Sequence, residues 1–139
     1  MQSIKSYTDL EQSKKLAEIL SIQSADMHYN DWNDDFCVGY KHTGEYIVDL
    51  GAPITIRGEL EIPCWSLAAL LNVLPNDNSK CTTMTRGRYD TRTRKYINGW
   101  CVYYNEINGA NCMNVFAENP VDACVAMVEQ LHKLNLLQL

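Results

Sequence analysis

Glu118-Asn-Pro-Val-Asp-Ala-Cys-Val-Ala-Met-Val-Glu-Gln-Leu-His-Lys-Leu134 is the stretch that decides the fold. It carries both a helix start and a helix stop. Asn119 suits an N-cap, and Pro120 at the first helical position gives up an N–H that has no helical partner anyway. Asp122 lies beside the positive end of the helix dipole and Lys133 near the negative end. Asn135 can take the left-handed conformation, with Leu136 folding back onto Leu131. Val121, Ala123, Cys124, Val125, Met127, Val128, Leu131 and Leu134 cover most of the circumference. Only the line Asp122, Ala126, Glu129 and Lys133, with Gln130, suits water. So apolar a helix needs a wide cover, a sheet plus another helix, which places it at the centre of the core.

The cover is expected just before it, in residues 95–117. Asn108-Gly109 is a strong hairpin signal, suited to a two-residue type I′ turn. With those two as the loop, Ile107 faces Ala110, Tyr104 faces Met113, Val102 faces Val115 and Trp100 faces Ala117. One face is then wholly core-like. The other carries Cys101, Tyr103, Asn105, Cys112, Asn114 and Phe116, with Cys101 opposite Phe116 and Cys112 opposite Asn105, which argues against a cross-strand disulfide. A slip of one residue would mix the two sets. Residues 82–89 are expected as a third antiparallel strand, joined through Asp90-Thr-Arg-Thr93.

Earlier in the chain, Tyr7-Thr-Asp-Leu-Glu-Gln-Ser-Lys-Lys-Leu-Ala-Glu-Ile-Leu20 predicts a first helix with a Thr8–Glu11 capping box. Its buried stripe is Leu10, Leu16, Ala17, Ile19 and Leu20. Residues 25–35 predict an ordered acidic and aromatic loop. Two short runs around His42-Thr-Gly44 suggest a hairpin. A short buried helix is expected over 66–74, stopped by Pro75 and followed by the turn Asn76-Asp-Asn-Ser79. The fold class is α+β in one domain, 1–139: an antiparallel sheet with a three-strand meander, helices packed on one face and the C-terminal helix central to the core.

The chain has 139 residues and a net charge of −5. Residues 1–61 carry 5 basic against 11 acidic side chains, net −6, and residues 62–139 carry 7 against 6, net +1. The acidic balance argues against binding driven by general attraction to phosphate. There is no charged segment followed by an apolar run at the start, so no signal peptide is expected, and no apolar run approaches the roughly 20 residues that cross a bilayer. The expected location is cytoplasmic, with no membrane association. The six cysteines, 37, 64, 81, 101, 112 and 124, show no C-x-x-C spacing and are expected as reduced, mostly buried thiols.

No catalytic or cofactor-binding set assembles in the sequence, and no cofactor is expected. Asp31, Asn33 and Asp35 match the opening of an EF-hand loop, but Phe36 stands where glycine is required and His42 where glutamate is. Asp26, His28 and Asp31 are ligand types for a metal, set against the plainer reading of a solvated acidic loop. Cys64 precedes a helix whose dipole can lower a thiol pKa, although Pro63 and Trp65 argue for burial. His132 reads as a helix-dipole partner or a core residue. Arg86-Gly-Arg-Tyr-Asp-Thr-Arg-Thr-Arg-Lys95 gathers Arg86, Arg88, Arg92, Arg94 and Lys95, five of the twelve basic residues, around one hairpin tip. With Tyr89 and Tyr96 they are candidates for a single-stranded nucleic acid. The plainer reading is that such charges keep strand edges from pairing with other chains or meet the acidic half of the protein itself.

Four stretches, Thr8 with Glu11-Gln-Ser-Lys-Lys-Leu16, Ser24-Ala-Asp-Met27, Pro63-Cys-Trp-Ser-Leu-Ala-Ala-Leu-Leu71, and Asn119-Pro-Val-Asp-Ala123 with Leu131-His132, resemble a group of short uncharacterised proteins. Those proteins are carried by bacteriophages and integrated mobile elements of gut bacteria. The resemblance implies a bacterial cytoplasm and a phage or mobile-element setting, and no catalytic residue follows from it. The expectation is therefore a small non-catalytic binding or accessory module whose partner is a protein, including a second copy of itself. Its candidate faces are the acidic–aromatic segment with Trp32, Asp34 and Asp35, and the mixed sheet face with Tyr103 and Phe116. Single-stranded nucleic-acid binding and an unrecognised small enzyme stand as alternatives.

Overall fold

The computed structural model describes residues 5–35, 39–56, 58–109 and 111–137, with the backbone alone for 33–35 and 39–41. The fold is α+β. In chain order it runs α1 (Leu10–Leu16), a 3-10 turn (Ile22–Ser24), β1 (Met27–Asp35), β2 (Gly39–Leu50), β3 (Thr55–Ile56), β4 (Glu59–Leu60), β5 (Ile62–Cys64), α2 (Leu67–Val73), β6 (Lys80–Asp90), β7 (Lys95–Glu106), β8 (Cys112–Ala117) and α3 (Pro120–Lys133). The described strands form two three-stranded antiparallel sheets, β2–β1–β5 and β6–β7–β8, and the two-stranded ribbon β3–β4.

The helix α3 forms as its sequence requires. Asn119 accepts from the Asp122 N–H with Pro120 in the first turn. At the other end Asn135 has φ 56°, and the Leu136 and Asn135 N–H groups donate to Leu131 and His132 carbonyls, a Schellman closure. Eight residues of the helix are buried, Val121, Val125 and Val128 among them. They share one core with Val102 and Tyr104 of β7 and with Trp65, Leu70 and Leu74 around α2. Trp100, Met113, Val115 and Ala117 pack against that core from the same face of the meander. The register pairs Trp100 with Ala117, Val102 with Val115 and Tyr104 with Met113, as the alternation demands.

The turn at its end is not the one expected. Asn108 has φ 63°, but Gly109 lies outside the left-handed region, so this is no type I′ turn. The Ile107 N–H donates to the Ser79 carbonyl at 2.8 Å, and the Glu106 N–H to Asn111 at 3.2 Å. The chain before β6 thus takes the donor that a two-residue loop would have used. Ala110, expected opposite Ile107, lies outside the described residues. Gly109 is required here for room, since a Cβ would stand 2.5 Å from Glu106 Cβ.

Other expectations need correction. The helix α1 is capped by Asp9 with Gln12, not by Thr8 with Glu11, and it ends at Leu16. Thr8 is drawn inside instead: it is fully buried, its hydroxyl 2.8 Å from Ser13 Oγ and accepting from the Trp65 N–H at 3.1 Å. Leu71 of α2 and Leu134 beyond α3 are exposed rather than buried. The segment expected as a loop over 25–35 is largely strand β1. His42-Thr-Gly44 lies inside β2 rather than forming a turn, and the β1–β2 connection falls at residues 36–38, outside the described residues.

Segments far apart in sequence meet at one junction. The Trp65 indole N–H donates to Ser24 Oγ at 2.9 Å, and Asp26 receives both the N–H and the hydroxyl of Ser66. Lys5 and Gln12 donate to Asp122 at 2.8 and 2.7 Å, tying α1 to the start of α3. Burial alone would raise the Asp122 carboxyl, but hydrogen bonds from Lys5, Gln12 and Asn119 outweigh it and hold it below the usual range. These residues are spent on holding the fold together.

Candidate functional site

The chemistry gathers on the other sheet, at a break in the β1–β2 ladder. Asn30 pairs with Ile47, but Trp32 pairs with His42, so residues 43–46 of β2 stand opposite Asp31 alone. Gly44, at φ 79°, lets the extra backbone turn out. The Thr43 hydroxyl fastens the bulge to the Asp31 carbonyl at 2.9 Å, and the Trp32 N–H is taken by Asn30 Oδ1 at 2.7 Å. The ribbon β3–β4 brings Glu59 and Glu61 up to the bulge. Together they enclose a cleft of about 200 Å³ lined by Tyr29, Asp31, Trp32, Tyr46, Glu59 and Glu61, with His42 at its side.

His42 is held on three sides. Its Nδ1 lies 2.7 Å from Asp31 Oδ1 and its Nε2 2.7 Å from Glu59 Oε2. Its ring lies over Trp32 with centroids 3.8 Å apart. A carboxylate only accepts, so both ring nitrogens must donate, which requires the imidazolium. The hydrogen bonds to Asp31 and then Glu59 raise the His42 pKa accordingly. Asp31 is nearly buried while His42 is about half exposed.

Glu61 is the most deeply buried carboxylate in the cleft, its side chain 2% exposed. It is not abandoned there: one oxygen accepts from the Ile54 N–H at 3.0 Å and the other stands 3.5 Å from His28 Nε2. His28 Nδ1 is 2.9 Å from the Gly51 carbonyl, which fixes the plane of the ring. Tyr29 donates to the Thr8 carbonyl at 2.7 Å, which ties the cleft's inner wall to the α1 junction.

Of the residues singled out from the sequence, Trp32 sits in this cleft, with Asp31 and His42, which the sequence offers only as calcium-loop or metal positions. Asp34 and Asp35 lie further along β1, and their side chains fall outside the described residues. The metal candidates do not assemble: Asp26 is engaged by Ser66 at the α2 cap, and among the described residues no group of three His, Cys, Asp or Glu side chains is placed to hold a metal. Cys64 is no activated thiol, because burial raises its pKa by more than the hydrogen bonds from Thr8 and Ser13 lower it. The five described cysteines are free thiols, and Cys37 lies outside. His132 is exposed in the last turn of α3, the dipole-partner position.

On the far face of the meander Tyr103 and Phe116 are half-buried, and Thr83, Thr85, Asn105, Cys112 and Asn114 around them are exposed, so this face is open. Phe116 fills the space a side chain at Gly99 would take, where a Cβ would lie 2.4 Å from the ring. The Arg88 guanidinium lies 4.9 Å above the same ring. Arg86 instead approaches Trp100, at 6.0 Å, on the core side. The β6 register shifts at Gly87, with Arg86 paired to Trp100 and Arg88 to Ile97. That bulge turns Arg86 and Arg88 to opposite faces. Arg92 and Arg94 occupy the turn and Lys95 begins β7, all exposed, and among the described residues none of the five makes an ion pair. Among the described residues, then, the basic hairpin makes no ion pair with the acidic half.

The chain matches no protein-family model, no curated protein and no solved structure. Sequence reasoning missed Tyr46, Glu59 and Glu61, and weighed His28 and His42 only as metal or calcium-loop positions. Their only signal was the glycine pair Gly44 and Gly58 near clustered charge, which says that the chain turns there and not what it turns toward.

Proposed function

We propose that the protein is a small non-catalytic binding or accessory module, in the phage or mobile-element setting that the resemblance implies, and that it holds a protein partner at the acidic–aromatic cleft. The observation that carries this reading is the meeting of three carboxylates, Asp31, Glu59 and Glu61, with Tyr29, Trp32 and Tyr46 around one small opening. Rings supply contact area at low entropic cost, and charge sets register and encounter. The net −6 of residues 1–61 extends the same sign of field around it.

The alternatives draw less support. A single strand of nucleic acid wants its cations along one path, and the Gly87 bulge divides Arg86 from Arg88. Proton-transfer chemistry wants a free imidazole lone pair, and His42 has both nitrogens engaged.

The test is capture from the native bacterial host by the full chain, by Trp32→Ala/Tyr46→Ala, and by Tyr103→Ala, each verified as folded by circular dichroism. A partner held by the first and third chains and lost by the second is the expected result. Retention by the cleft variant, or no partner for the unaltered chain, overturns the reading.

A further inference from the structure

Resting on that reading, we infer that the cleft is built to take a guanidinium from the partner, an arginine side chain, and that His42 is the internal stand-in for it. Docking would then exchange one flat cation for another.

Three observations converge on this. The first is the present occupant. His42 is a planar ring with a carboxylate oxygen 2.7 Å from each nitrogen and an indole over its face, the centroids 3.8 Å apart and the planes tilted by 32°. That is the recognition geometry of a guanidinium, which offers in-plane donors to carboxylates and stacks on aromatic faces. A lysine ammonium satisfies the charge but neither the plane nor the stacking.

The second is the charge that remains. Among the described residues Asp31, Glu59 and Glu61 line the cleft against one imidazolium, so that part of the lining stays net negative with His42 in place. The space, about 200 Å³, falls below the roughly 300–1,000 Å³ of ordinary small-molecule pockets and suits one side chain. The third is where His42 is attached. It borders the bulge over 43–46 and its side chain is 48% exposed, while ladder pairs continue on both sides. Its ring is a removable part of the wall.

Exchange of this kind depends on pH. Among the described residues the titratable groups that line the cleft with His42 are Tyr29 and Asp31 from β1, Tyr46 from β2, Glu59 from β4, and Glu61; behind them His28 lies 3.5 Å from Glu61 and 3.9 Å from Asp49. A neutral His42 can donate to only one of its two carboxylates, so the incoming cation meets less competition as pH rises.

The experiment titrates the full chain with hexa-arginine and hexa-lysine peptides at about pH 5.5 and about pH 8.5. The readout is the Trp32 indole resonance, assigned through Trp32→Phe. The expected result is a shift of that resonance by hexa-arginine, with affinity about tenfold higher at the upper pH. Hexa-lysine binds more weakly at both. His42→Gln binds hexa-arginine with the upper-pH affinity throughout, and His28→Gln keeps the pH slope. An unmoved Trp32, equal affinity for the two peptides, or a slope retained in His42→Gln overturns the inference. If hexa-arginine fails while partner capture still depends on Trp32 and Tyr46, the guanidinium falls and the docking role stands. If the peptide behaves as expected while capture ignores the cleft, the docking role falls alone.

Discussion

The β6–β7–β8 sheet and the β2–β1–β5 sheet are both antiparallel and three-stranded, but they spend their side chains differently. The first turns one face wholly to α3, with Val102 and Tyr104 fully buried. The second leaves Ile47 60% and Leu50 84% exposed and holds its irregular middle with polar contacts, Asp31 to His42 to Glu59 and His28 to Glu61. Apolar burial is worth about 25 cal/mol per Å² and needs no particular partner, whereas an exposed ion pair is worth about 0–1 kcal/mol and is specific. The first sheet is thus built for stability. The second has traded stability for a shaped, charged opening, the place where binding sites are commonly found.

The sharpest way to break this contrast is one chemical change made in both regions. Leu131→Ala, in the helix over the first sheet, is expected to cost about 2–5 kcal/mol in denaturant unfolding. Leu50→Ala on the second sheet should stay within about 0.5 kcal/mol. Comparable losses would mean that the second sheet is covered in solution.

A smaller effect tests how tightly the first sheet is built. Gly99→Ala places a Cβ 2.4 Å from the Phe116 ring and 2.8 Å from the Ala117 carbonyl, at a φ of 148°. The expected cost is about 1–3 kcal/mol. Partial recovery in Gly99→Ala/Phe116→Leu, read by thermal melting, assigns the cost to the ring; no recovery assigns it to the backbone.

Smaller still is the one flaw in that core. The Tyr104 hydroxyl is buried and makes no well-formed hydrogen bond among the described residues, and burial and then the nearby Glu106 carboxylate push its pKa up to about 12. Tyr104→Phe removes a desolvated donor and is expected to leave stability unchanged or raise it by up to about 1 kcal/mol. A loss of stability in the same denaturant titration would reveal a bond to that hydroxyl.

The smallest effect belongs to the second sheet and is confined by pH. The folded pKa of His42 stands above its ordinary 6.5, through hydrogen bonds to Asp31 and then Glu59. A raised pKa gives stability that is complete below 6.5 and is lost as pH climbs through the raised value. The melting temperature of His42→Gln should therefore fall below that of the unaltered chain at about pH 5.5 and coincide with it at about pH 9. A gap that persists at the upper pH would make the clamp one of packing, not charge.

The same contrast explains what could be read in advance. The meander register and α3 were legible because burial repeats along the chain, at a period of two in Trp100, Val102 and Tyr104 and at helical spacing through Val121, Val125 and Val128. The cap of α1 was misplaced by one residue because Thr8 answers to Trp65, 57 positions away. The β1 strand reads as a loop in sequence because Asn30, Asp31, Asn33 and Asp35 are poor strand formers in isolation, and the bulge opposite Asp31 breaks the alternation. Trp32 was legible as a contact residue, but its companions were not.

By itself, then, the sequence determined the α+β class, the pairing of β7 with β8 and the helix that roofs them. Hydrophobic periodicity and capping are local properties, visible wherever the chain is read. Only the tertiary structure decided that His42, Asp31, Glu59 and Trp32 would share one opening, and that Arg86 and Arg88 would part to opposite faces. Those outcomes depend on bulges and on contacts between distant strands, whose geometry no single stretch of residues contains.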